Sequence, residues 1–284
     1  MNYEYVEVQT EQNITLFGFM QKKEGNKKCI LYIPGLAGNF FESKFARIFG
    51  NLSVDKGYDF LFSHNQGSFQ IMDFQYLRED GKIKSKTKGS AYERFEDSKY
   101  DIKAWIEYIK TLGYEKIILL CHSMGCNKIE YYLNQYSYDE LSNVILLAPQ
   151  DNVNFKNLEM HEGLLEEAKK NIDLGQSDKL LSKKFLGFCV MSSQTYYDEI
   201  TNPVINNIPY KTVNGDFSML KNIKLPTFVL IGTDDGGDQS LEYMKKVASY
   251  CLNGKYDVVE GANHNFKNKE IETSEKIFNY LEEN

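Results

Sequence analysis

The stretch KIILLCHSMG, residues 116–125, runs from a short apolar segment into a polar turn that leads toward a helical pattern. A solid apolar run of this length predicts a strand buried on both faces, and residues 124–136 predict the helix that follows it. Ser123 then occupies a sharp strand-to-helix turn, which would expose its hydroxyl over the end of the sheet. Such a turn needs small neighbours, which accounts for Gly125.

Similar apolar runs recur along the chain and predict further buried strands. They are KCILYIP, YDFLFSH, NVILLAP and PTFVLIG. Amphipathic patterns predict helices between and after the runs, at 39–50, 92–112, 124–136, 238–251 and 266–282. The leading segments YEYVEVQT and ITLFGFMQ alternate apolar and polar residues, as half-buried antiparallel strands do. The order predicts an α/β fold with a mostly parallel doubly wound sheet and antiparallel N-terminal strands.

Two segments interrupt this alternation. Residues 66–93 predict a long polar loop, whose lysines at 82, 84, 86 and 88 could hold an acidic ligand but are more simply solvated. Residues 150–222 predict a helical cap insertion, with a helix near 159–171, packed over the carboxyl ends of the strands. The predicted core domain is therefore 1–149 and 223–284, and the predicted cap is 150–222.

Composition excludes several classes of protein. The 284 residues carry a formal charge of −7, which offers no basic field for nucleic acid or anionic lipid. The start of the chain has no signal-peptide pattern and no segment is long and apolar enough to span a membrane, so we expect a cytoplasmic protein without membrane insertion. Five scattered cysteines indicate reduced thiols.

The serine needs a base, and four histidines are candidates. His122 adjoins the serine in a tight turn and should point away from its hydroxyl. His64 follows an early strand, and His161 lies in the predicted cap. His264 follows the last predicted strand, so its loop opens on the same edge of the sheet as Ser123, and it is the predicted base.

An acid that orients this histidine should also follow a strand. VLIGTDDGGDQS places Asp234, Asp235 and Asp238 there, and the spacing after Gly232 favours Asp235. The neighbouring aspartates stay open as rivals, and Asp151, after NVILLAP, is a more distant one. All of them could instead form turns or cap a helix.

Donors for a developing oxyanion are expected from two backbone turns. LYIPGLAGNFF places a glycine-rich turn after an early strand, where the N–H of Leu36 would point into the site. The N–H of Met124, directly after the serine, would be the second donor.

The motifs PGLAG, CHSMG, the aspartate cluster and Asn263-His264, in that order, resemble the α/β-hydrolase superfamily over essentially the whole chain. Two positions depart from the usual pattern: Cys121 replaces the elbow glycine, and Pro34 stands where histidine often precedes the glycine of the oxyanion loop. The stretch from 89 to 125 and part of the cap are also similar to a subgroup that includes siderophore-releasing and other small-molecule esterases.

The resemblance implies a serine hydrolase that cleaves a small-molecule carboxylic ester through an acyl-enzyme, with Ser123, His264 and Asp235 as the triad. A thioesterase or acyltransferase would use the same triad, and a non-catalytic binding protein on this fold is the third alternative. No metal or cofactor is expected, and the oligomeric state is undetermined. Five cap residues either line an apolar substrate pocket or form the cap's own core: Phe185, Phe188, Met191, Tyr196 and Tyr197.

Overall fold

An eight-stranded sheet and a separate hairpin organise the chain in the computed structural model, which describes residues 3–153 and 155–283. The strands are β1 (Glu4–Gln9), β2 (Thr15–Gln21), β3 (Lys28–Ile33), β4 (Tyr58–Ser63), β5 (Met72–Leu77), β6 (Ile83–Lys88), β7 (Lys116–His122), β8 (Leu141–Leu147), β9 (Thr227–Gly232) and β10 (Lys255–Val259). The main sheet has the order β1-β2-β4-β3-β7-β8-β9-β10, and β5 pairs with β6.

Strand direction follows the prediction. β1 and β2 are antiparallel, and β2 is antiparallel to β4. From β4 through β10 every neighbouring pair is parallel. The mostly parallel sheet with antiparallel N-terminal strands is therefore confirmed.

Helices connect the parallel strands. They are α1 (Lys44–Asp55), α2 (Ser98–Thr111), α3 (Met124–Leu133), α4 (Leu164–Asp173), α5 (Ser193–Thr201), α6 (Ser218–Asn222), α7 (Thr233–Gly236), α8 (Ser240–Ala248) and α9 (Glu270–Glu282). The first begins five residues later than predicted, because Ser43 caps it by accepting a hydrogen bond from the Ala46 N–H. No helix in the described ranges has the length and apolar character needed to cross a bilayer.

The chain reverses its direction of progress across the sheet at β3. It first moves outward from β3 through α1 to β4, and then returns through α2 to β7 on the other side of β3. Because parallel crossovers are right-handed, this reversal places α1 and α2 on opposite faces. Ligands of open α/β sheets bind at such a reversal, at the carboxyl ends of the strands. The loop after β3 and the turn after β7 meet there.

The core is built from the predicted apolar runs. Every residue of β4 and β9 is buried, as expected for strands covered on both faces. On α2 the predicted apolar face is also buried, and its Trp105 is fully enclosed. The indole N–H donates to the His64 carbonyl over 2.9 Å, so the polar end of this ring is satisfied.

The prediction of a long polar loop at 66–93 was wrong, because this segment contains the β5–β6 hairpin. β6 has the sequence IKSKTK and is exposed except at its last residue, so it carries no apolar alternation. Of its lysines, Lys88 forms an ion pair with Asp97 at 3.4 Å, and Lys86 lies over the Tyr76 ring.

Residues 150–222 contain a small apolar cluster of their own beside α4 and α5. Its buried members are Leu164, Ala168, Phe185, Cys189, Met191 and Tyr196. The later part of the segment behaves differently, since Ile208, Phe217 and Leu220 pack into the core of the main sheet.

A buried ion pair joins α3 to the segment before α2. Lys128 on α3 is fully buried and hydrogen-bonds to the carboxylate of Glu93, whose side chain is 5% exposed. Removing one partner of such a pair leaves the other charge without compensation in a medium that solvates it poorly. Breaking the pair should therefore destabilise the fold strongly, even if the intact pair adds little net stability.

Lys128→Met is expected to lower the free energy of unfolding by about 3–5 kcal/mol, measured by urea denaturation. The matched control is Lys110→Met, which removes a lysine whose side chain is 42% exposed and paired with Glu107 at the surface. Exposed pairs contribute little, so the control should unfold close to the wild type. Equal midpoints for the two variants would contradict the prediction.

Candidate active site

Ser123 occupies the turn between β7 and α3 in a conformation that few non-glycine residues adopt. Its φ is 55° and its ψ is −130°. The Ser123 N–H donates to the Leu147 carbonyl over 2.9 Å, which ties the turn to the end of β8. A left-handed residue held by neighbouring strands in this way is the geometry that exposes a nucleophile at a strand-to-helix turn.

Two glycines let the loop after β3 approach this turn. A β-carbon on Gly125 would lie 2.4 Å from the Ile33 carbonyl oxygen, and one on Gly35 would lie 2.7 Å from the Ser123 β-carbon. Any larger residue would therefore separate the two segments. Cys121 is tolerated at the unusual elbow position because its thiol is buried and donates to the Ile145 carbonyl of the adjacent strand.

The predicted oxyanion donors lie in these two segments. Leu36 directly follows Gly35, and Met124 is the first residue of α3. Within residues 3–153 and 155–283, neither backbone N–H donates a hydrogen bond to another protein group. Both remain available to a ligand oxygen beside Ser123, with Met124 also at the N-terminal end of a helix.

The structure brings Ser123, His264 and Asp235 together. His264 Nε2 lies 2.9 Å from Ser123 Oγ, and His264 Nδ1 lies 2.8 Å from Asp235 Oδ2. Asp235 is in the short helix α7 directly after β9, and the Asp234 N–H donates to the Ala262 carbonyl, which joins the two loops.

The rival acids have other surroundings. The side chains of Asp234 and Asp238 are exposed. Asp151 lines the same cavity, but its carboxylate accepts hydrogen bonds from the N–H groups of Val153 and Lys211. Asp235 is thus the carboxylate that the structure places against His264.

The other three histidines have structural partners. His64 accepts from the Phe40 N–H and contacts the Phe17 carbonyl, and burial lowers its pKa to about 4. His161 accepts from the Leu186 N–H. His122 Nε2 lies 2.7 Å from the His264 carbonyl oxygen, and burial, together with the nearby His264, lowers the pKa of His122 to about 4. A neutral His122 therefore donates to that carbonyl and holds the His264 loop in place.

A cavity of about 920 Å³ opens beside the serine, the histidine and the aspartate. Its volume suits a drug-sized molecule. Apolar lining comes from Phe69, Phe155, Leu186 and Phe188. Polar lining comes from Asn39, Glu42, Lys44, Lys211, Lys267 and Glu270.

Most of the predicted substrate-contacting residues lie elsewhere. Phe188 lines the cavity and is 51% exposed. Phe185, Met191 and Tyr196 are instead buried in the apolar cluster of the insertion, and Tyr197 packs against that cluster. These apolar side chains pack within the insertion itself, a role that sequence periodicity does not distinguish from a binding surface.

Sequence reasoning missed Gln150, which contacts the serine directly. Its Oε1 lies 3.2 Å from Ser123 Oγ. Its position just after β8, next to Pro149, was the available signal, because residues at the carboxyl end of a central strand face the ligand site.

The arrangement is suited to acyl transfer. It combines a hydroxyl, a histidine that can accept its proton, a carboxylate that can orient the histidine, and two backbone N–H groups that donate to no other group in the described part of the chain. The described residues contain no group of three or more His, Cys, Asp or Glu side chains that could hold a metal ion.

Solved structures with the same architecture include several esterases. Est1E from Butyrivibrio proteoclasticus, with ferulic acid bound, has a TM-score of 0.64 and 14% identity over 98% of each chain. DcsB, in complex with its substrate analogue, has a TM-score of 0.71 and 12% identity over 100% of this chain and 99% of that one. The esterase EaEST from Exiguobacterium antarcticum has a TM-score of 0.58 and 14% identity over 98% of this chain and 99% of that one. At these identities the likeness establishes the α/β-hydrolase fold.

Sequence comparison reaches one family. No curated protein sequence matches the chain significantly. The profile of a family described as "Protein of unknown function (DUF1749)" matches residues 81–281, which is well over half of the chain. The chain therefore belongs to the DUF1749 family and has the α/β-hydrolase fold.

Proposed function

We propose that this protein is a serine esterase that hydrolyses a carboxylic ester of a small molecule. One observation carries the proposal, namely the continuous contact from Asp235 through His264 to Ser123, with separations of 2.8 Å and 2.9 Å. The similar structures include the esterase EaEST from Exiguobacterium antarcticum, which supports the same reaction class.

In the proposed reaction, Asp235 accepts a hydrogen bond from the Nδ1–H of His264. The Nε2 lone pair is then directed at the serine hydroxyl. Ser123 Oγ attacks the ester carbonyl while Nε2 takes the hydroxyl proton. The imidazolium then returns this proton to the leaving alcohol, and an acyl-serine remains. Water repeats the sequence and releases the acid.

The tetrahedral intermediate carries negative charge on the former carbonyl oxygen. We assign its stabilisation to the N–H groups of Leu36 and Met124, which have no protein acceptor within the described ranges. Each such donor typically lowers the barrier by roughly 3 kcal/mol, because it is fixed in place before charge develops.

The substrate is proposed to enter the cavity between the sheet and residues 150–222, which we assign as the cap. Phe155, Leu186 and Phe188 come from this segment and line the cavity. Their apolar surfaces suit the hydrocarbon part of an ester, whereas the lysines and acids that also line the cavity suit a polar part. We further expect a cytoplasmic location, which fits five cysteines that form no disulfide.

The test is a panel of p-nitrophenyl esters of increasing acyl length, with aryl esters, thioesters and amides beside them. Ester turnover that disappears in Ser123→Ala supports the proposal. Preference for a thioester, or transfer to an added alcohol, would reassign the chemistry while keeping the nucleophile. If a fluorophosphonate probe fails to label Ser123 in the folded protein, the chain is a binding protein.

kcat/KM for an activated ester is expected to rise with increasing pH, because the proposed base must be unprotonated to take the serine proton. His64 and His122 cannot produce this rise, since burial lowers each pKa to about 4. Initial rates corrected for spontaneous hydrolysis give the profile. A profile that is flat from about pH 5 to about pH 9 would contradict the assignment.

A further inference from the structure

A chain of hydrogen bonds leads from the candidate nucleophile to a buried carboxyl group. Ser123 Oγ lies 3.2 Å from Gln150 Oε1, and Gln150 Nε2 lies 2.5 Å from Asn152 Oδ1. Asn152 Nδ2 in turn lies 2.8 Å from Oε1 of Glu199 on α5. In each of these bonds the donor lies on the serine side and the acceptor on the glutamate side. An ionised carboxylate requires this order, because it can accept hydrogen bonds but cannot donate them.

Gln150 is held firmly at its backbone. Asn127 on α3 donates from Nδ2 to the Gln150 carbonyl over 3.0 Å, and the same amide contacts Asn207 Oδ1 at 2.9 Å. Gln150 and Asn152 are both at least nine-tenths buried. A half-turn of either amide group can therefore exchange its C=O and NH₂ ends. Both side chains have little room to leave this chain of hydrogen bonds.

Glu199 lies in surroundings that oppose its charge. The residue is 5% exposed. The titratable groups that interact with it are Glu93 before α2, Lys128 on α3, Asp198 on α5 and the Cys189 thiol. Lys128 is already paired with Glu93, so Glu199 has no cation of its own among these groups. Burial, with a further contribution from Glu93, raises the pKa of Glu199 to about 8.

The serine hydroxyl has one proton and two acceptors. It can donate to His264 Nε2, at 2.9 Å, or to Gln150 Oε1, at 3.2 Å. Donation to Gln150 removes the proton from the path to the base. If both amides make a half-turn, Gln150 instead donates an N–H to Ser123 Oγ, and the hydroxyl proton is directed to the histidine. The Asn152 carbonyl then faces Glu199, which must carry a proton to donate to it.

We propose that Gln150, Asn152 and Glu199 are positioning residues, and that the protonation state of Glu199 sets whether Gln150 donates to Ser123 or accepts from it. Neutral Glu199 can donate to the Asn152 carbonyl, which allows Gln150 to donate to the serine and favours attack. Ionised Glu199 reverses both amides, and Gln150 then competes with His264 for the hydroxyl proton. No covalent bond changes, and the only net event is loss of the carboxyl proton to solvent. The inference rests on the proposed esterase function.

A second titration should therefore appear in the reactivity of the serine. Because the pKa of Glu199 is raised to about 8, this side chain is mostly neutral at neutral pH and ionises as the pH rises further. Reactivity should first rise with pH, as a general-base mechanism requires, and then fall as Glu199 ionises. We expect the fall to be about tenfold, the effect of one competing hydrogen bond.

The experiment measures the rate of fluorophosphonate labelling at Ser123, and kcat/KM for p-nitrophenyl acetate, from about pH 5.5 to about pH 10. In the wild type both should fall at high pH. Glu199→Gln keeps a neutral donor beside Asn152, so it should retain the low-pH rise and lose the high-pH fall. The control Asp198→Asn removes a neighbouring acid that is outside the chain of hydrogen bonds but helps to raise the pKa of Glu199. Its profile should therefore keep the fall and shift it to lower pH.

A second variant covers the case in which Glu199→Gln fails to fold. Gln150→Met removes the contact with Ser123 while keeping an unbranched side chain of similar length, and it should also abolish the high-pH fall. The proposed role of Gln150, Asn152 and Glu199 is overturned if the wild type shows no fall, or if the fall persists in folded Glu199→Gln or Gln150→Met. Absence of labelling at every pH in the folded wild type overturns the esterase proposal as well, so the two failures are distinguishable.

Discussion

Ser123→Ala is expected to reduce kcat for ester hydrolysis by roughly four to six orders of magnitude. Without the hydroxyl there is no acyl-enzyme, and His264 has no neighbouring proton to accept. The remaining rate enhancement would come from substrate binding and from the N–H groups of Leu36 and Met124. Single-turnover assays and intact-protein mass spectrometry after fluorophosphonate treatment measure the loss directly.

Ser142→Ala is the matched control for this variant. Ser142 is the second residue of β8 and donates to the Ile117 carbonyl near the start of β7, so it lies at the opposite edge of the sheet from Ser123. Its removal should leave kcat unchanged. If folded Ser123→Ala retains more than about one per cent of wild-type kcat, the serine is not the nucleophile and the proposed mechanism fails.

The fold was predictable because its strands are buried on both faces. Such strands appear in sequence as solid apolar runs, and KIILLCH and PTFVLIG correspond to β7 and β9. Strand β6 was not predicted because it belongs to the two-stranded β5–β6 hairpin and nearly all its side chains are exposed to solvent. Solvated strands have no apolar face, so hydrophobic periodicity does not detect them.

Helix ends were less predictable than helix existence. The apolar positions of α1 fit the predicted pattern, but its start depends on the Ser43 cap and on the loop that precedes it. The 3-10 turn at Phe95–Asp97 similarly shortens α2 relative to the predicted segment. Such ends are decided by local hydrogen bonds rather than by burial.

The candidate site was predictable to the level of its loops. Ser123 and His264 follow strands whose carboxyl ends share one edge of the sheet, and this proximity follows from topology alone. Choosing among Asp234, Asp235 and Asp238 requires the rotation of the chain in α7, which exposes the first and turns the second toward His264. Their catalytic roles stay predictions until the variants are measured.

The cavity walls were the least predictable part. Phe185 and Phe188 are three residues apart in the same aromatic segment, yet the first is buried in the insertion's cluster and the second lines the cavity. Gln150 was overlooked for the opposite reason, since a glutamine after a strand carries no motif. Both cases depend on the path of irregular backbone, which composition does not encode.

Asp235→Asn is expected to lower kcat by about 10⁴-fold, although the replaced side chain is nearly the same size. The carboxylate fixes the proton of His264 on Nδ1, 2.8 Å away, so that Nε2 presents a lone pair to the serine. An asparagine can donate an N–H to Nδ1, which favours the tautomer with its proton on Nε2. That tautomer cannot accept the hydroxyl proton.

Asp234→Asn is the decisive control for this prediction, because it makes the same chemical change one residue earlier. The Asp234 side chain is exposed, and its backbone N–H, which joins the two loops, is unaffected by the substitution. We expect its kcat to stay within about twofold of the wild type, as for most surface substitutions. Comparison of kcat for both variants, at matched thermal stability, separates a lost tautomer from a damaged fold. If Asp234→Asn is the more impaired enzyme, the orienting acid has been assigned to the wrong residue.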